Sequence, residues 1–200
     1  MQKSQKQVWE NLASDWNKLK QYPIKQVNEF LQKQSGKILD LGSGAGRHLI
    51  KIKNSKMYLV DFSKKMIDYA KQKSKEKNIP AKFNIAEMFD LPYKDNFFDA
   101  AILVSSLHCI ESKQKREKVI KELYRVLKEK AQVIVTVYNK DSEQFKNSSK
   151  EKYIKWKNKE IRYYYIFDEK EIHNLFEKNK FKIIKKFPLK RSIEFIAEKK

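Results

Sequence analysis

Three glycines stand at alternate positions, at Gly42, Gly44 and Gly46, shortly after Asp40 and with Ser43 between the first two. The chain of 200 residues has only four glycines, so this cluster indicates a backbone that needs them here. Glycine adopts positive φ angles and lets another group approach the main chain closely. A glycine turn between a strand and a helix presents free N–H groups, which suits a nucleotide-like ligand. An ordinary tight turn is the alternative.

Acidic residues follow two later apolar runs. Asp61 ends the second run, where a carboxylate can accept both hydroxyls of a ribose. Glu87 follows the third run and could accept from an exocyclic amine, with Met88 placed against an adenine ring. A turn or helix-capping aspartate is the alternative for Asp61, and simple core packing is the alternative for Met88.

The elements that must position these residues alternate between strands and helices. Strands are predicted at 37–41, 57–60, 81–85, 98–107, 133–138, 181–186 and 192–198. Helices are predicted at 6–20, between Pro23 and Gly36, from Arg47 onward, after an N-cap at Ser63, through Val119 to Leu127, and at 168–179. This alternation predicts an α/β fold with a Rossmann-like, doubly wound sheet of about seven strands and an antiparallel C-terminal edge hairpin. We expect one domain over residues 1–200, with N-terminal helices in 6–35 and a polar insertion or lid at 139–160.

The amino-acid composition and net charge indicate what kind of partner the protein binds. The net charge is +20 and the pI is about 9.8, which favours attraction to RNA or DNA through phosphate neutralisation. Lysines scattered over every polar face are the alternative explanation. No apolar run approaches the ~20 residues that span a bilayer, and the N-terminus lacks an apolar signal core, so a cytoplasmic protein without membrane contact is expected. The single cysteine, Cys109, excludes an internal disulfide and a cysteine-based zinc cluster, and no metal site is predicted.

Residues 35–138 resemble the class I S-adenosylmethionine-dependent methyltransferases. The resemblance is carried by Asp40–Gly46, Asp61, Glu87, Leu91-Pro92-Tyr93 and Phe98-Asp99. It implies S-adenosylmethionine as cofactor, whereas a dinucleotide such as NAD is the competing ligand. The residues assigned to the cofactor are Asp40, Gly42, Ser43, Gly44, Gly46, Asp61, Phe62, Glu87, Met88 and Val104.

A narrower resemblance covers nearly the whole chain. The matching segments are 9–16, 20–23, 107–109, 151–156 and 162–167, and they look like the archaeal-type enzymes that methylate carboxymethyluridine at the tRNA wobble position. This resemblance implies the tRNA anticodon loop as substrate and a small zinc-binding activator protein as partner. The chain departs from the family pattern at Lys20, Ile24, Glu129–Ala131, Cys109 and Tyr165. Most of these departures fall near the expected substrate pocket, so the substrate stays open.

A carboxylate acceptor would be ionised near neutral pH and would need orientation rather than a base. Arg162 is the leading candidate to grip it in a bidentate manner, and Lys20 is the second. His108 could line the acceptor pocket, although a strand-end histidine bonded to the backbone is the alternative. Tyr163 and Tyr164 could stack on a base, and paired core aromatics are their alternative.

Other residues receive simpler interpretations. Trp156, among lysines, suits an anticodon-loop contact, whereas His48 and His173 are expected at the surface and Cys109 is expected to pack. Two other functions stay open. One is a methyltransferase for a small acid or quinone, and the other is a non-catalytic subunit of the same fold that binds RNA or stabilises a partner.

Overall fold

The structure is a computed structural model that describes residues 3–157 and 159–200. The α-helices are α1 (Gln5–Leu19), α2 (Lys25–Leu31), α3 (Lys64–Glu76), α4 (Lys113–Val126) and α5 (Glu169–Lys178), and a 3-10 turn spans Leu107–Cys109. The strands are β1 (Gly36–Leu41), β2 (Ser55–Asp61), β3 (Ala81–Ile85), β4 (Phe98–Val104), β5 (Leu127–Tyr138), β6 (Glu151–Trp156), β7 (Glu160–Tyr165), β8 (Phe181–Lys186) and β9 (Ser192–Lys199). Within those described ranges, no helix is long and apolar enough to cross a lipid bilayer.

Seven strands form one sheet in the order β3-β2-β1-β4-β5-β9-β8. Strands β1 to β5 run parallel, whereas β9 pairs antiparallel with both β5 and β8. The chain winds outward from β1 to β3, returns to the centre at β4 and winds outward again. This order confirms the predicted doubly wound α/β sheet and its antiparallel C-terminal edge hairpin.

Helices cover both faces of the sheet, which is why its central strands are continuous apolar runs. On one face, Leu123 of α4 and Phe176 of α5 belong to the larger core cluster. On the other face, Val27 of α2 and Ala70 of α3 belong to a second cluster. Strand β4 ends at Val104, before the predicted limit of 107, because the positive φ of 53° at the next residue turns the chain into the 3-10 turn.

Polar side chains fix the helix starts next to the sheet. The Ser63 hydroxyl accepts a hydrogen bond from the backbone N–H of Met66, as predicted for the N-cap of α3. The carboxylate of Glu10 in α1 accepts from the Ser63 hydroxyl at 2.5 Å and from the N–H of Lys65. Helix α1 is therefore anchored to the beginning of α3, one turn from the end of β2.

Strands β6 and β7 form a separate two-stranded sheet. The region 139–160 contains β6 and the buried Phe145, and its assignment as a polar insertion stays a prediction. The hairpin is bound to α1, because the side-chain oxygen of Gln5 accepts from the N–H of Tyr163 at 2.9 Å and Glu160 accepts from Asn11 at 2.7 Å. Helix α1 thus joins this hairpin to the main sheet.

Candidate active site

A cavity of about 610 Å³ lies at the carboxyl ends of β1, β2 and β4. Gly42 follows β1, Asp61 ends β2 and Val104 ends β4, and all three line the cavity. The order of strands reverses between β1 and β4, which is where doubly wound sheets bind ligands. The volume lies in the range of pockets that enclose a drug-sized ligand.

The glycine turn brings the backbone close to its neighbours. The N–H groups of Gly42 and Ser43 both donate to the Val60 carbonyl, so the turn is fixed to the end of β2. Gly42 has a φ of 75°, and a Cβ there would lie 2.4 Å from the Cβ of Ser106. Any larger residue at position 42 would therefore push against the chain that follows β4.

The helix predicted to begin at Arg47 is not present. Residues 42–54 run through turns, and the next helix after β1 is α3. Gly46, which precedes this segment, has a φ of 71°, and a Cβ there would lie 3.0 Å from that of Ala70. The ammonium group of Lys73 donates to the Ala45 carbonyl at 2.9 Å. Contacts with α3 therefore fix this segment as a loop.

Asp61 receives two backbone hydrogen bonds beside the cavity. One carboxylate oxygen accepts from the N–H of Gly44 at 2.8 Å, and the other accepts from the N–H of Ser63 at 3.0 Å. Burial raises the pKa of Asp61 to about 6, although both hydrogen bonds oppose the shift. The carboxylate is therefore ionised at neutral pH and retains lone pairs for hydroxyl groups of a ligand.

Asp40 lies behind the loop and is not among the residues that line the cavity. It is buried, and its Oδ2 atom has no hydrogen-bond partner among the described residues. Burial and the neighbouring Asp61 raise the pKa of Asp40 to about 8, while Arg47 acts in the opposite direction. Direct contact between Asp40 and a cofactor stays a prediction that this geometry does not favour.

The structure brings most of the predicted cofactor residues to one end of the cavity, which we call the glycine-loop end. The cavity is lined there by Gly42, Ser43, Gly44, Asp61, Phe62, Glu87, Met88 and Val104. Gly46 is the exception besides Asp40, because it packs against α3. Carboxylate acceptors and apolar side chains are thus combined as a ribose and an adenine would require. The open space beside Gly44 also fits a bound group.

A second group of residues that line the cavity is positively charged. We call it the cationic end, and it is formed by Lys20, Arg47, His108, Tyr164 and Arg191. Burial lowers the pKa of Lys20, and the charges of Arg47, Arg191 and Arg162 lower it further. Lys20, Arg47 and Arg191 form no ion pair with an acid in the part of the chain that the structure describes. This end suits an anionic ligand.

His108 is fixed as a neutral hydrogen-bond donor. Its Nδ1 atom accepts from the backbone N–H of Tyr138 at 3.2 Å, so the ring hydrogen belongs on Nε2. The two rings stack with their centres 4.2 Å apart. Burial lowers the pKa of His108 to about 3, with Arg191 adding to the shift. Both predicted roles, the backbone bond and the position in the pocket, are therefore present.

Arg162 is buried beside the cationic end and does not line the cavity. Its Nη1 atom donates to the hydroxyl of Tyr164 at 2.6 Å. Its guanidinium group lies 4.6 Å from the ring centre of Trp156 and 5.8 Å from that of Trp16. A direct grip of a substrate by Arg162 stays a prediction, and this arrangement places Tyr164 in front of it.

The aromatic residues near the hairpin are packed inside the protein. Tyr163 and Tyr164 are both buried, so the core interpretation fits them better than exposed stacking. Trp156 packs edge-to-face on Trp16, and its Nε1 atom donates to Asp15 at 3.3 Å. The predicted anticodon-loop contact of Trp156 would need an exposed ring face, which these contacts do not favour.

The two histidines expected at the surface are buried, so that prediction was wrong. His48 lines the cavity, and burial lowers its pKa to about 3. His173 packs on the ring of Phe195, with ring centres 4.8 Å apart. Isolated histidines give no periodic signal, so the sequence could not show which face they occupy. Cys109 is half-buried beside the cavity, and burial raises the pKa of its thiol.

Several cavity residues were missed by the sequence analysis. They are Trp9 and Trp16 of α1, Arg47, Tyr138, and Arg191 in the loop before β9. The two tryptophans were placed only within the helix predicted at 6–20 and within the matching segment 9–16. Arg191 stands among exposed lysines and carries no motif, because only the pairing of β9 with β5 brings it to the cavity.

Residues 32–184 match the family described as "Methyltransferase domain". The chain is similar to the probable tRNA methyltransferase 9B of Homo sapiens, with 30% identity over 135 residues. It is also similar to the tRNA (carboxymethyluridine(34)-5-O)-methyltransferase of Arabidopsis thaliana, with 33% identity over 106 residues. These matches cover 66% and 53% of this chain, but the chain spans only 28% and 25% of the length of those relatives.

Solved structures show the same fold. An S-adenosylmethionine-dependent methyltransferase from Methanosarcina mazei superposes with a TM-score of 0.73 and 21% identity, over 89% of this chain and 98% of the other. A putative methyltransferase from Haloferax volcanii, solved in complex with the Trm112 methyltransferase activator, gives a TM-score of 0.71 and 14% identity, over 95% and 96% of the two chains.

Proposed function

This chain belongs to the family of methyltransferase domains, and from that premise we propose that it methylates a carboxylate carried by tRNA. S-adenosylmethionine-dependent methyl transfer follows from the family, in agreement with the cofactor predicted from the sequence. The carboxylate acceptor and the tRNA are the proposed part. The most specific candidate is the carboxymethyl group of a modified wobble uridine.

Bound S-adenosylmethionine supplies a sulfonium methyl group to the acceptor, and the electron pair of the broken carbon–sulfur bond returns to sulfur. At the glycine-loop end, Asp61 would accept the ribose hydroxyls and Glu87 the adenine amine. Met88 is buried and lies close to the position that a Cβ at residue 42 would occupy. Its side chain would pack against the adenine ring. Phe62 and Val104, which line the same end of the cavity, would complete the cofactor contacts.

The observation that carries the proposal is the chemistry of the cationic end. His108, the leading candidate for a base there, has its Nδ1 atom occupied and a pKa lowered to about 3 by burial. Burial raises the pKa values of the Cys109 thiol and the Tyr164 hydroxyl, so both stay protonated. These groups donate hydrogen bonds and do not remove protons. Together with Lys20 and Arg191 they fit an acceptor that is already an anion.

Two further observations favour tRNA as the carrier of that carboxylate. The net charge of +20 suits a polyanion, and the relatives named above include tRNA methyltransferases. We also propose a small zinc-binding activator protein as partner, supported by the fold neighbour that was solved in complex with a methyltransferase activator. Co-expression with an activator of that type should raise the yield of active enzyme.

The test is methylation of tRNA that carries free carboxymethyluridine, followed by mass spectrometry of the nucleosides. We expect a mass gain of one methylene at the wobble nucleoside with the wild type and no gain with Asp61→Ala. Small carboxylic acids and quinones serve as competing acceptors. Methylation of those acids with no product on tRNA would contradict the proposed carrier, and methylation of a quinone hydroxyl would contradict the carboxylate. Donor binding without any product would favour a non-catalytic subunit.

A further inference from the structure

Arg162 and Tyr164 form a hydrogen-bonded pair beside the cavity, and only Tyr164 reaches it. Arg162 is 6% exposed, its Nε atom has no partner, and it forms no ion pair within residues 3–157 and 159–200. The nearby Asp15 is instead bonded to Trp156 and Lys159. Burying a cation without a counter-ion costs free energy. The contact between the charge of Arg162 and Tyr164 therefore needs an explanation.

The Tyr164 hydroxyl is left with a hydrogen to donate. A tyrosine oxygen can accept hydrogen bonds and donate one, and here it accepts from Arg162 at 2.6 Å. Its own hydrogen has no acceptor in the described part of the protein. A hydrogen bond received from a cation strengthens the one that a hydroxyl gives. Tyr164 is buried but lines the cationic end, so a ligand bound there would be the acceptor for this hydrogen.

A neutral donor suits this reaction better than a cation in contact. A carboxylate loses its charge as it accepts a methyl group. A guanidinium group in direct contact would therefore stabilise the substrate more than the transition state, which raises the barrier. A hydroxyl group orients the same carboxylate and raises the barrier to methyl transfer less.

We propose that Tyr164 donates its hydroxyl hydrogen to the acceptor carboxylate, and that Arg162 is a positioning residue that acts through Tyr164. This inference rests on the proposed function and replaces the direct grip by Arg162. One carboxylate oxygen forms the new bond to the methyl carbon, and the other keeps the hydrogen bond. The tyrosine proton stays on its oxygen, so no proton is transferred.

Tyr163, the residue before Tyr164, forms a matched control pair with Arg116. Arg116 is also buried, and its Nη1 atom lies 3.4 Å from the hydroxyl of Tyr163, but neither residue lines the cavity. Tyr163→Phe therefore removes the same chemical group without touching the cationic end. Arg116 keeps its bond to the Ile110 carbonyl at 2.7 Å, so the fold should tolerate the change.

The experiment is a double-mutant cycle with Tyr164→Phe and Arg162→Met, with Tyr163→Phe as control. Single-turnover rates with carboxymethyluridine tRNA, S-adenosylhomocysteine affinity and urea unfolding are measured for each variant. We expect Tyr164→Phe and Arg162→Met each to slow methyl transfer about tenfold or more while donor affinity changes little. The double variant should be no slower than Tyr164→Phe alone. Tyr163→Phe should react like the wild type.

Independent losses from Arg162→Met and Tyr164→Phe would mean that Arg162 contacts the acceptor itself, and would overturn the inference. Equal rates for Tyr164→Phe and Tyr163→Phe would also overturn it. Calorimetry of carboxymethyluridine with protein saturated in S-adenosylhomocysteine separates this result from failure of the proposed function. Binding by the wild type with unchanged binding by Tyr164→Phe rejects the inference alone. No binding and no methylation by the wild type rejects both.

Discussion

The carboxylate of Asp61 accepts a hydrogen bond from the backbone N–H of Gly44 at 2.8 Å. This contact joins the acidic end of β2 to the middle of the glycine turn that follows β1. The glycine turn and Asp61 are therefore one unit, in which the turn orients the carboxylate at the cavity. The other oxygen of Asp61 accepts from the N–H of Ser63, which starts α3.

The ionisation of Asp61 should control donor binding. Ribose hydroxyls donate to the ionised carboxylate, whose pKa burial raises to about 6 in the ligand-free protein. Affinity for S-adenosylhomocysteine should be level above about pH 6 and fall by up to about tenfold per pH unit below it. Quenching of Trp9 and Trp16, which line the cavity, measures binding. Asp61→Asn should bind more weakly and lose this pH dependence.

The stability of the ligand-free protein should depend on pH with the opposite sign to the affinity for the donor. Because folding raises the pKa of Asp61, its contribution to stability is complete below the unfolded value near 3.8 and is lost as pH rises through about 6. Saturating ligand should therefore stabilise the protein more at neutral pH than at about pH 5. Equal ligand-induced stabilisation at both pH values would contradict the role of Asp61.

Two glycine substitutions should differ in their cost. Gly42→Ala places a Cβ 2.4 Å from Ser106, whereas the nearest atom to a Cβ at position 44 is 3.9 Å away. Both positions have positive φ, which alone costs about 1–2 kcal/mol. Gly42→Ala should lower the free energy of unfolding by about 2–5 kcal/mol and Gly44→Ala by about 1–2 kcal/mol. Urea denaturation measures the difference, and equal losses would show that the chain near Ser106 can move away.

Arg191 should contribute to acceptor binding. It lines the cationic end without an ion pair in the described ranges, so Arg191→Met should raise KM for the carboxymethyl acceptor about fivefold or more. S-adenosylhomocysteine affinity should stay unchanged. The adjacent exposed residue offers the control Lys190→Met, which does not line the cavity. Similar effects of the two substitutions would indicate only a general loss of positive charge.

The rate of methyl transfer should depend little on pH. With saturating donor and acceptor, single-turnover rates should stay nearly flat from about pH 6.5 to 8, because the acceptor carboxylate is ionised throughout. His108 titrates well below this range, since burial lowers its pKa to about 3. A rate that rises about tenfold per pH unit would point to an acceptor that must lose a proton.

Lysines of the β6 region should differ in their effect on tRNA binding. Lys150 lies 2.7 Å from Asp168 and 2.8 Å from Glu171, whereas the exposed Lys155 forms no ion pair with a described acid. If tRNA phosphates contact this hairpin, Lys155→Gln should flatten the plot of log affinity against log salt more than Lys150→Gln does. Lys152 and Lys157 lie near aromatic rings, so their effects should be intermediate. Identical slopes for all variants would indicate that tRNA binds to another surface of the protein.

The seven strands of the main sheet and most helices followed from local patterns, whereas β6 and β7 were not predicted. The apolar run of β4 and the capping residue Ser63 define elements through their own neighbours in sequence, because burial and capping follow the periodicity of each element. The helix predicted from Arg47 onward was wrong, and the reason lies in the tertiary structure. Residues 42–54 form turns instead, held by the packing of Gly46 against Ala70 and by the hydrogen bond from Lys73 to the Ala45 carbonyl.

The sequence by itself determined the glycine-loop end of the cavity. Gly42, Gly44 and Asp61 lie at the ends of adjacent parallel strands, and the spacing of such a motif fixes its geometry locally. The cationic end was decided only by the tertiary structure. Arg191 reaches it through the antiparallel pairing of β9 with β5, and Tyr164 through the docking of α1 on the hairpin. Side chains so distant in sequence leave no periodic pattern, because their proximity arises from packing between elements and not from the spacing within one.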